Sequence, residues 1–473
     1  MSIVTWLRTP RIRRGIAASA VFLAAGGLIL FRATAGATPT YRYTTPLGHS
    51  SNSSLFSGPG LHGEVALSHT RVPAGTPTQV FAEVRMTADP AENKERAPLS
   101  MAIVLDTSGS MEGEKMEQAK DSVVRLLRDM KDDDEIALVR YADEASLLQG
   151  LTRVGDVRGS LVSQVRAIRA GGGTAIPRGL QMGLSQIAGA SNARVRRIVL
   201  ASDGLDSTRN EAERIAMTSF ERGITVSSMG IGLDFDESYM GSVARSGRGN
   251  FAFVKDASAL AGFLERELVE TATTTIENAT MELRLPPGVR FVRATGADAT
   301  VQNGAVALRV GSMFAGDERR VLVELESRLG AGDSRGIDGS VAWTRVGGSS
   351  ANASFGKLAL AGTNDSDEVA KGRDGRVLAN ATSVSASQMQ LEAAEAWAKG
   401  DTAGAQALMD KSEKALDVAA VHAPPAASAS LAKQAGEYKA RRPAMAKPGS
   451  AAGNVAAKKA WADDNDNLSR AKY

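Results

Sequence analysis

Between residues 101 and 268, apolar strand-like runs alternate with amphipathic helical stretches, and few folds accommodate that alternation. Residues 101–105 (MAIVL) are continuously apolar and of strand length. Behind them Met116, Ala119, Val123, Leu127 and Met130 fall on one helical face. A second strand is expected at 136–141, a short helix at 161–168, a helix at 176–187 and a strand at 198–202. A helix near 212–222 then leads to a strand at 225–232, a short helix near 238–244, a strand at 251–254 and a helix at 257–268. The pattern predicts an α/β fold, a doubly wound and mostly parallel sheet.

In such a sheet, ligands collect beyond the carboxyl ends of the strands. Asp106, Ser108 and Ser110 stand just past the first strand, in the loop Asp106-Thr107-Ser108-Gly109-Ser110. A carboxylate and two hydroxyls alternating along one short loop suit a hard, oxygen-seeking cation such as Mg²⁺. Two more loops offer oxygen at equivalent places. Gly171-Gly172-Gly173-Thr174 opens a helix and brings a hydroxyl on a bare backbone, and Ser202-Asp203-Gly204 ends a strand with a carboxylate.

The three pieces VLDTSGSM (104–111), GGGTAI (171–176) and LASDG (200–204), with the closing MGIG (229–232), resemble the metal-ion-dependent adhesion site of the von Willebrand factor A domain family. The resemblance covers about residues 99–270. It implies a doubly wound domain of that family in which the Ser108, Ser110 and Thr174 hydroxyls approach a divalent cation. Asp106 and Asp203 would neutralise that cation, directly or through water. Mg²⁺ is the expected ion, with Mn²⁺ or Ca²⁺ as alternatives, and neutral hydroxyls leave much of its charge unquenched. An open coordination position would then attract a carboxylate from a partner protein, as this family typically does. In some members the last helix of the domain, here 257–268, moves between low- and high-affinity states.

The flanks read differently. Val80, Ala82, Val84 and Met86 alternate with Phe81, Glu83 and Arg85, and 64–68 is a further strand candidate. After residue 275 the helices stop. Met281, Leu283 and Leu285, then Val321, Val323 and Leu325, alternate with polar neighbours, which predicts one β-sandwich built from both flanks, 61–98 and 271–362, around the inserted 99–270. LPPGV (285–289) and GDERRVLVELE (316–326) resemble the strands after the A domain in bacterial relatives of the inter-α-trypsin inhibitor heavy chain and chloride channel regulator groups. Residues 38–60, rich in Ser, Thr, Gly, Pro and Asn, read as a linker. Gly400-Asp401 supplies a helix stop and a helix start, predicting a helical hairpin over 367–421. The Ala/Lys/Pro-rich stretch 422–473 is expected to be disordered.

Charge and residue usage narrow the chemistry. Residues 1–35 carry five Arg and no acid, and 423–473 carry nine Lys/Arg against four acids, so the net +3 hides a body seven charges negative. An acidic body argues against nucleic-acid binding. There is no Cys, which removes disulfides, zinc thiolates and thiol nucleophiles. The four His are 49, 62, 69 and 422, so none lies in the α/β region to act as a general base. Arg8, Arg11, Arg13 and Arg14, an apolar run over 15–31 and the small residues Ala33–Ala37 have the layout of a secretory signal, or of an uncleaved membrane anchor within 1–37. Either exports the body, to the periplasm or cell surface.

Several motifs lead nowhere. Gly332-Asp333-Ser334-Arg335-Gly336 satisfies the nucleophile-elbow pattern but joins two strand-like segments, so it reads as a hairpin loop. Asp234, Asp236 and Glu237 read as a solvated loop and helix start, Asp132–Glu135 as a turn. Residues 463–467 lack the Gly and closing Glu of a calcium loop, and no Gly-Lys-Ser/Thr follows Gly171–Gly173. The expected function is therefore non-enzymatic: an exported, metal-dependent protein-binding module that captures an acidic side chain. The alternative is a cell-envelope scaffold whose metal site is structural or regulatory; a hydrolase using Asp106 lacks a positioned acid.

Overall fold

Leu99–Asp106 is buried at every position because it runs through the middle of a sheet covered on both faces. The computed structural model describes residues 52–90, 97–203, 206–232, 235–254 and 257–469. Four strands come first: β1 (Ser53–Gly58), β2 (Leu61–Leu67), β3 (Arg71–Pro73) and β4 (Thr78–Ala88). The α/β region follows with β5 (Leu99–Asp106), α1 (Glu114–Asp129), β6 (Glu135–Tyr141), β7 (Ala145–Arg153), α2 (Val154–Arg166) and α3 (Ile176–Ile187). It continues with β8 (Val195–Ser202), α4 (Arg209–Glu221), β9 (Thr225–Ile231), α5 (Glu237–Ser246), β10 (Arg248–Val254) and α6 (Ala257–Ala272). The sheet order is β10-β9-β8-β5-β6-β7, parallel except for β7, which pairs antiparallel with β6. Strand order reverses at β5, so a crevice opens between the carboxyl ends of β5 and β8. The edge strand β7 escaped the sequence reading because, half-buried and interrupted by Gly150, it lacks clean alternation.

The remaining strands are β11 (Thr274–Arg284), β12 (Val289–Thr295), β13 (Asp298–Gln302), β14 (Ala305–Phe314), β15 (Glu318–Ser327), β16 (Ser334–Arg345) and β17 (Ser350–Thr363). They complete two sheets, β1-β2-β4-β15-β12 and β13-β14-β11-β16-β17-β3, whose apolar faces share one core. Both flanks contribute to each sheet. Antiparallel β4 and β15 pair from Thr78 opposite Ser327 to Thr87 opposite Glu318, and β3 runs parallel to β17. Two expectations change. Part of the 38–60 linker is strand: β1 pairs with β2 along its whole length, and Phe56 enters the sandwich core. As an edge strand it needs little apolar sequence. The Gly332–Gly336 segment is no hairpin: Gly332 and Asp333 end the crossing from β15 in one sheet to β16 in the other, and the next three residues open β16.

After α7 (Ser366–Lys371), α8 (Gly375–Ala398) and α9 (Thr402–His422), the chain forms α10 (Pro425–Arg441) and α11 (Ala451–Ser469). The turn between α8 and α9 uses Gly400 at φ +85° and Asp401, whose side chain accepts from Gly404 N at 2.8 Å. The expected disorder of 422–473 is therefore overturned for 425–441 and 451–469. Their helices carry a weak amphipathic signal because part of what they bury is polar. The Tyr438 hydroxyl bonds Asp464 and lies 3.0 Å from Ser387 Oγ; Gln434 donates to Tyr438 at 2.8 Å, and Asn467 to Ser387 at 2.8 Å. Residues 463–467 thus lie within a docked helix that buries Asp464, Asn465 and Asn467.

These helices bind the parts together. From α11, Lys458 Nζ donates to Phe235 O at 2.8 Å and Glu237 Oε2 at 2.7 Å, and Trp461 packs where Gly241 leaves room: a Cβ there would lie 2.8 Å from Trp461 Cε3. From α8, Asn380 donates to buried Glu83 of β4 at 2.8 Å, beside Arg320 of β15 at 2.9 Å. Among the described residues no helix is long and apolar enough to cross a membrane; the apolar run 15–31 and the proposed leader lie outside them, as does Asp234.

Trp461→Ala should cost about 3 kcal/mol in urea unfolding, the usual loss for a buried Trp, and make the segment after residue 422 cleavable in limited proteolysis; an unchanged midpoint would mean that α11 is not docked. His69 offers a pH test. Burial first, and the nearby Arg373 charge second, push its imidazole down to about 3. The folded state holds it neutral while the unfolded chain takes a proton near 6.5, so its contribution is full above pH 6.5 and lost as pH falls towards 3. Across that window wild type should lose about 1.4 kcal/mol more per pH unit than His69→Gln, read from denaturation curves at each pH.

Candidate metal centre

β5 delivers Asp106 to the rim of the crevice with its side chain buried. A carboxylate taken out of water needs donors. Ser108 N reaches Oδ1 at 2.8 Å and Ser202 Oγ reaches Oδ2 at 2.6 Å, with Tyr141 OH at 3.4 Å on the same oxygen. Burial still pushes the Asp106 carboxyl above its ordinary range, the hydrogen bonds from Ser202 and Ser108 oppose it, and the charge of Asp203 adds to the rise. Burial, helped by the Asp106 charge, drives Tyr141 well above the usual phenol range, so it stays a neutral donor.

After Asp106 the chain turns through a short 3₁₀ segment, Gly109–Met111, which sets the two serines side by side. Ser108 Oγ and Ser110 Oγ are 3.0 Å apart, and Ser110 Oγ donates to Asp203 Oδ1 at 2.8 Å. Asp203, buried just beyond β8, receives Lys115 Nζ on its other oxygen at 2.5 Å. Asp106, Ser108, Ser110 and Asp203 therefore form one connected patch of oxygens drawn from two strand ends.

Backbone bonds bring the third loop alongside. Gly109 N donates to Gly172 O at 2.9 Å, Gly171 N to Thr107 O at 2.8 Å, and Ala175 N to Ala142 O at 2.8 Å. Gly172 sits at φ +87°, and a Cβ there would come 2.6 Å from Asp143 Oδ2. Thr174 is carried on this tethered loop. Its hydroxyl is half-buried and joins none of the hydrogen bonds that link the other four residues. Asp206 Oδ2 accepts from Ile176 N at 2.8 Å and so ties the segment after Asp203 to the start of α3.

The donor set fits a small hard cation. Neighbouring oxygens around octahedral Mg²⁺, at 2.0–2.1 Å from the ion, lie about 2.9 Å apart. The Ser108–Ser110 and Ser110–Asp203 separations of 3.0 and 2.8 Å bracket that spacing. The Lys115 ammonium already stands in as a cation on Asp203. Among the described residues no group of three or more His, Cys, Asp or Glu side chains could hold a metal, so a cation here depends on hydroxyls as well as carboxylates.

Sequence reasoning missed Ser202 and Tyr141, which hold Asp106, and Lys115. The first two left a faint trace, since each ends a strand of the parallel sheet. Lys115 left another: a cation in the first turn of a helix opposes the macrodipole, which suggests that a carboxylate from elsewhere holds it.

Residues 100–266 match the family model of the von Willebrand factor type A domain. The chain is 25% identical over 272 residues to the uncharacterized protein sll0103 of Synechocystis, covering 55% of this chain and 64% of that one. It is 24% identical over 218 residues to the uncharacterized protein YfbK of Escherichia coli, covering 44% and 37%. It is 27% identical over 175 residues to mouse inter-alpha-trypsin inhibitor heavy chain H2, covering 33% and 18%. The matches thus span less than two thirds of these relatives' lengths. The fold is similar to that of a von Willebrand factor type A protein from Catenulispora acidiphila (TM-score 0.68, 19% identity, 90% of this chain and 99% of that one). It is also similar to the ArnB paralog VWA2 from Sulfolobus acidocaldarius (TM-score 0.60, 16% identity, 87% and 98%).

Gly172→Ala should lower stability in urea by about 1–2 kcal/mol, through positive φ and the clash with Asp143. Gly171→Ala, with open space around its Cβ, should stay within about 0.5 kcal/mol of wild type.

Proposed function

Because residues 100–266 of this chain are a von Willebrand factor type A domain, a kind of domain that generally mediates protein–protein interaction and adhesion, we propose that it captures a partner protein through a divalent cation at the Asp106–Asp203 site. The observation that carries this reading is the connected patch formed by Asp106, Ser108, Ser110 and Asp203, with oxygen spacings suited to Mg²⁺. Asp106 and Asp203 supply the negative charge, and Ser108 and Ser110 supply neutral oxygens; Thr174 is the fifth donor on the tethered loop. A bound dication brings incompletely quenched charge and an open position for an acidic side chain. Ser110 is exposed, so the patch meets solvent and a partner can reach it. Ser202 and Tyr141 hold Asp106 in place, and backbone hydrogen bonds tether Gly171 and Gly172 beside the patch.

The reading extends to location. The Arg cluster before residue 15, the apolar run 15–31 and the small residues after it support export, with the body outside the cytoplasm and residues 1–37 acting as a cleaved signal or a tether. N-terminal sequencing of the mature protein distinguishes the two.

The immobilised protein should capture envelope proteins in Mg²⁺ and release them in EDTA. Asp106→Ala and Ser108→Ala should each abolish capture while leaving the circular dichroism spectrum unchanged. Capture that persists undiminished in EDTA would sink the reading.

A further inference from the structure

The Asp106–Asp203 crevice gathers two buried carboxylates, and among the described residues Lys115 brings a positive charge onto one of them, Asp203. Lys115 is the second residue of α1, on a different element from either aspartate. Its ammonium donates to Asp203 Oδ2 at 2.5 Å, while Ser110 holds Oδ1 at 2.8 Å. The path of its stem is built into the fold: it lies across Gly232 at the end of β9, where φ is +79° and a Cβ would come 3.0 Å from Lys115 Cε and 3.4 Å from Nζ. The Asp203 side chain has no exposed surface, whereas 28% of the Lys115 side chain faces solvent. One partner is fixed, and the other has a way out.

We propose that Lys115 is an internal placeholder for the cation, a tethered monovalent charge that occupies Asp203 when no metal is bound and that an incoming dication must displace. This rests on the cation-site reading above and adds a regulatory element to it. Charge repulsion supports displacement. A dication and an ammonium held together on the buried Asp203 carboxylate would repel each other at close range, where screening is poor. The lysine's flexible four-carbon stem can leave by rotating towards the water that it already touches. The device has two consequences. Without metal the Asp203 carboxylate keeps a positive partner, so the empty domain stays folded. With metal the affinity is held below what the oxygens alone would give, so capture responds to cation supply.

The opposite role, in which Lys115 steadies Asp203 as a positioning residue and aids the metal, predicts the opposite sign. The experiment is a calorimetric titration of the full chain, stripped with EDTA, using Mn²⁺ and Mg²⁺. Lys115→Met and Lys115→Gln remove the charge, Lys115→Arg keeps it, and Asp106→Ala destroys the site. Thermal melting of each protein is followed with and without metal. The placeholder role expects both neutral variants to bind about ten- to a hundredfold tighter, the range that follows from losing one hydrogen bond between charged groups. It expects Lys115→Arg to stay within about threefold of wild type. It also expects the neutral variants to melt lower than wild type in EDTA and to gain more from saturating Mn²⁺. Equal or weaker binding by the neutral variants, with wild type binding and Asp106→Ala not, overturns the placeholder and leaves the cation site standing. No binding by any variant, with melting indifferent to metal throughout, overturns both.

Discussion

Asp106 and Asp203 bring two buried carboxylates to one crevice, and much of the local structure answers the resulting electrostatic problem. Each charge would be costly alone in a sheet buried on both faces. The protein meets the cost with three kinds of donor: the Ser108 backbone and the Ser202 hydroxyl on Asp106, the Ser110 hydroxyl on Asp203, and the Lys115 ammonium opposite it. Asp106 nevertheless remains above the ordinary carboxylate range, because hydrogen bonds offset its desolvation only in part.

The crevice depends in turn on the sheet. Reversal of strand order at β5 opens the space, and parallel register aligns the ends of β5, β6 and β8, so Asp106, Tyr141 and Ser202 reach the same level. The surrounding parts brace this geometry. The sandwich is continuous with the α/β region at both ends, and α8 is linked to the sandwich through Glu83 and Asn380. α11 grips the segment leading from β9 into α5 through Lys458.

Much of this was legible in the chain. The strand–helix alternation needs only local periodicity, and D-x-S-x-S after an apolar run marks a strand end that gathers oxygens. Asp203 could be added because it follows a patterned strand, and the structure joins it to Ser110; Thr174 precedes a patterned helix but stays outside that hydrogen-bonded patch. The edge strands were less visible. β1 and β7 bury little, so hydrophobicity marks them weakly, and backbone pairing carries their structure. The tail was misread because α10 and α11 bury Gln434, Tyr438, Asp464 and Asn467 alongside Leu431 and Trp461. Helices whose core is partly polar look like solvated sequence until their partners are known.

What the sequence determined by itself is the doubly wound sheet with a two-sided sandwich and the strand-end positions of Asp106, Ser108, Ser110 and Asp203, because side-chain period and turn chemistry act over a few residues. Tertiary structure alone decided how charge is shared among those residues. Lys115 and Asp203 are 88 positions apart, Asp106 and Ser202 96, and Tyr438 and Asp464 join two helices that looked unstructured. Electrostatic compensation in a buried site depends on distance in space, and spacing along the chain does not encode it.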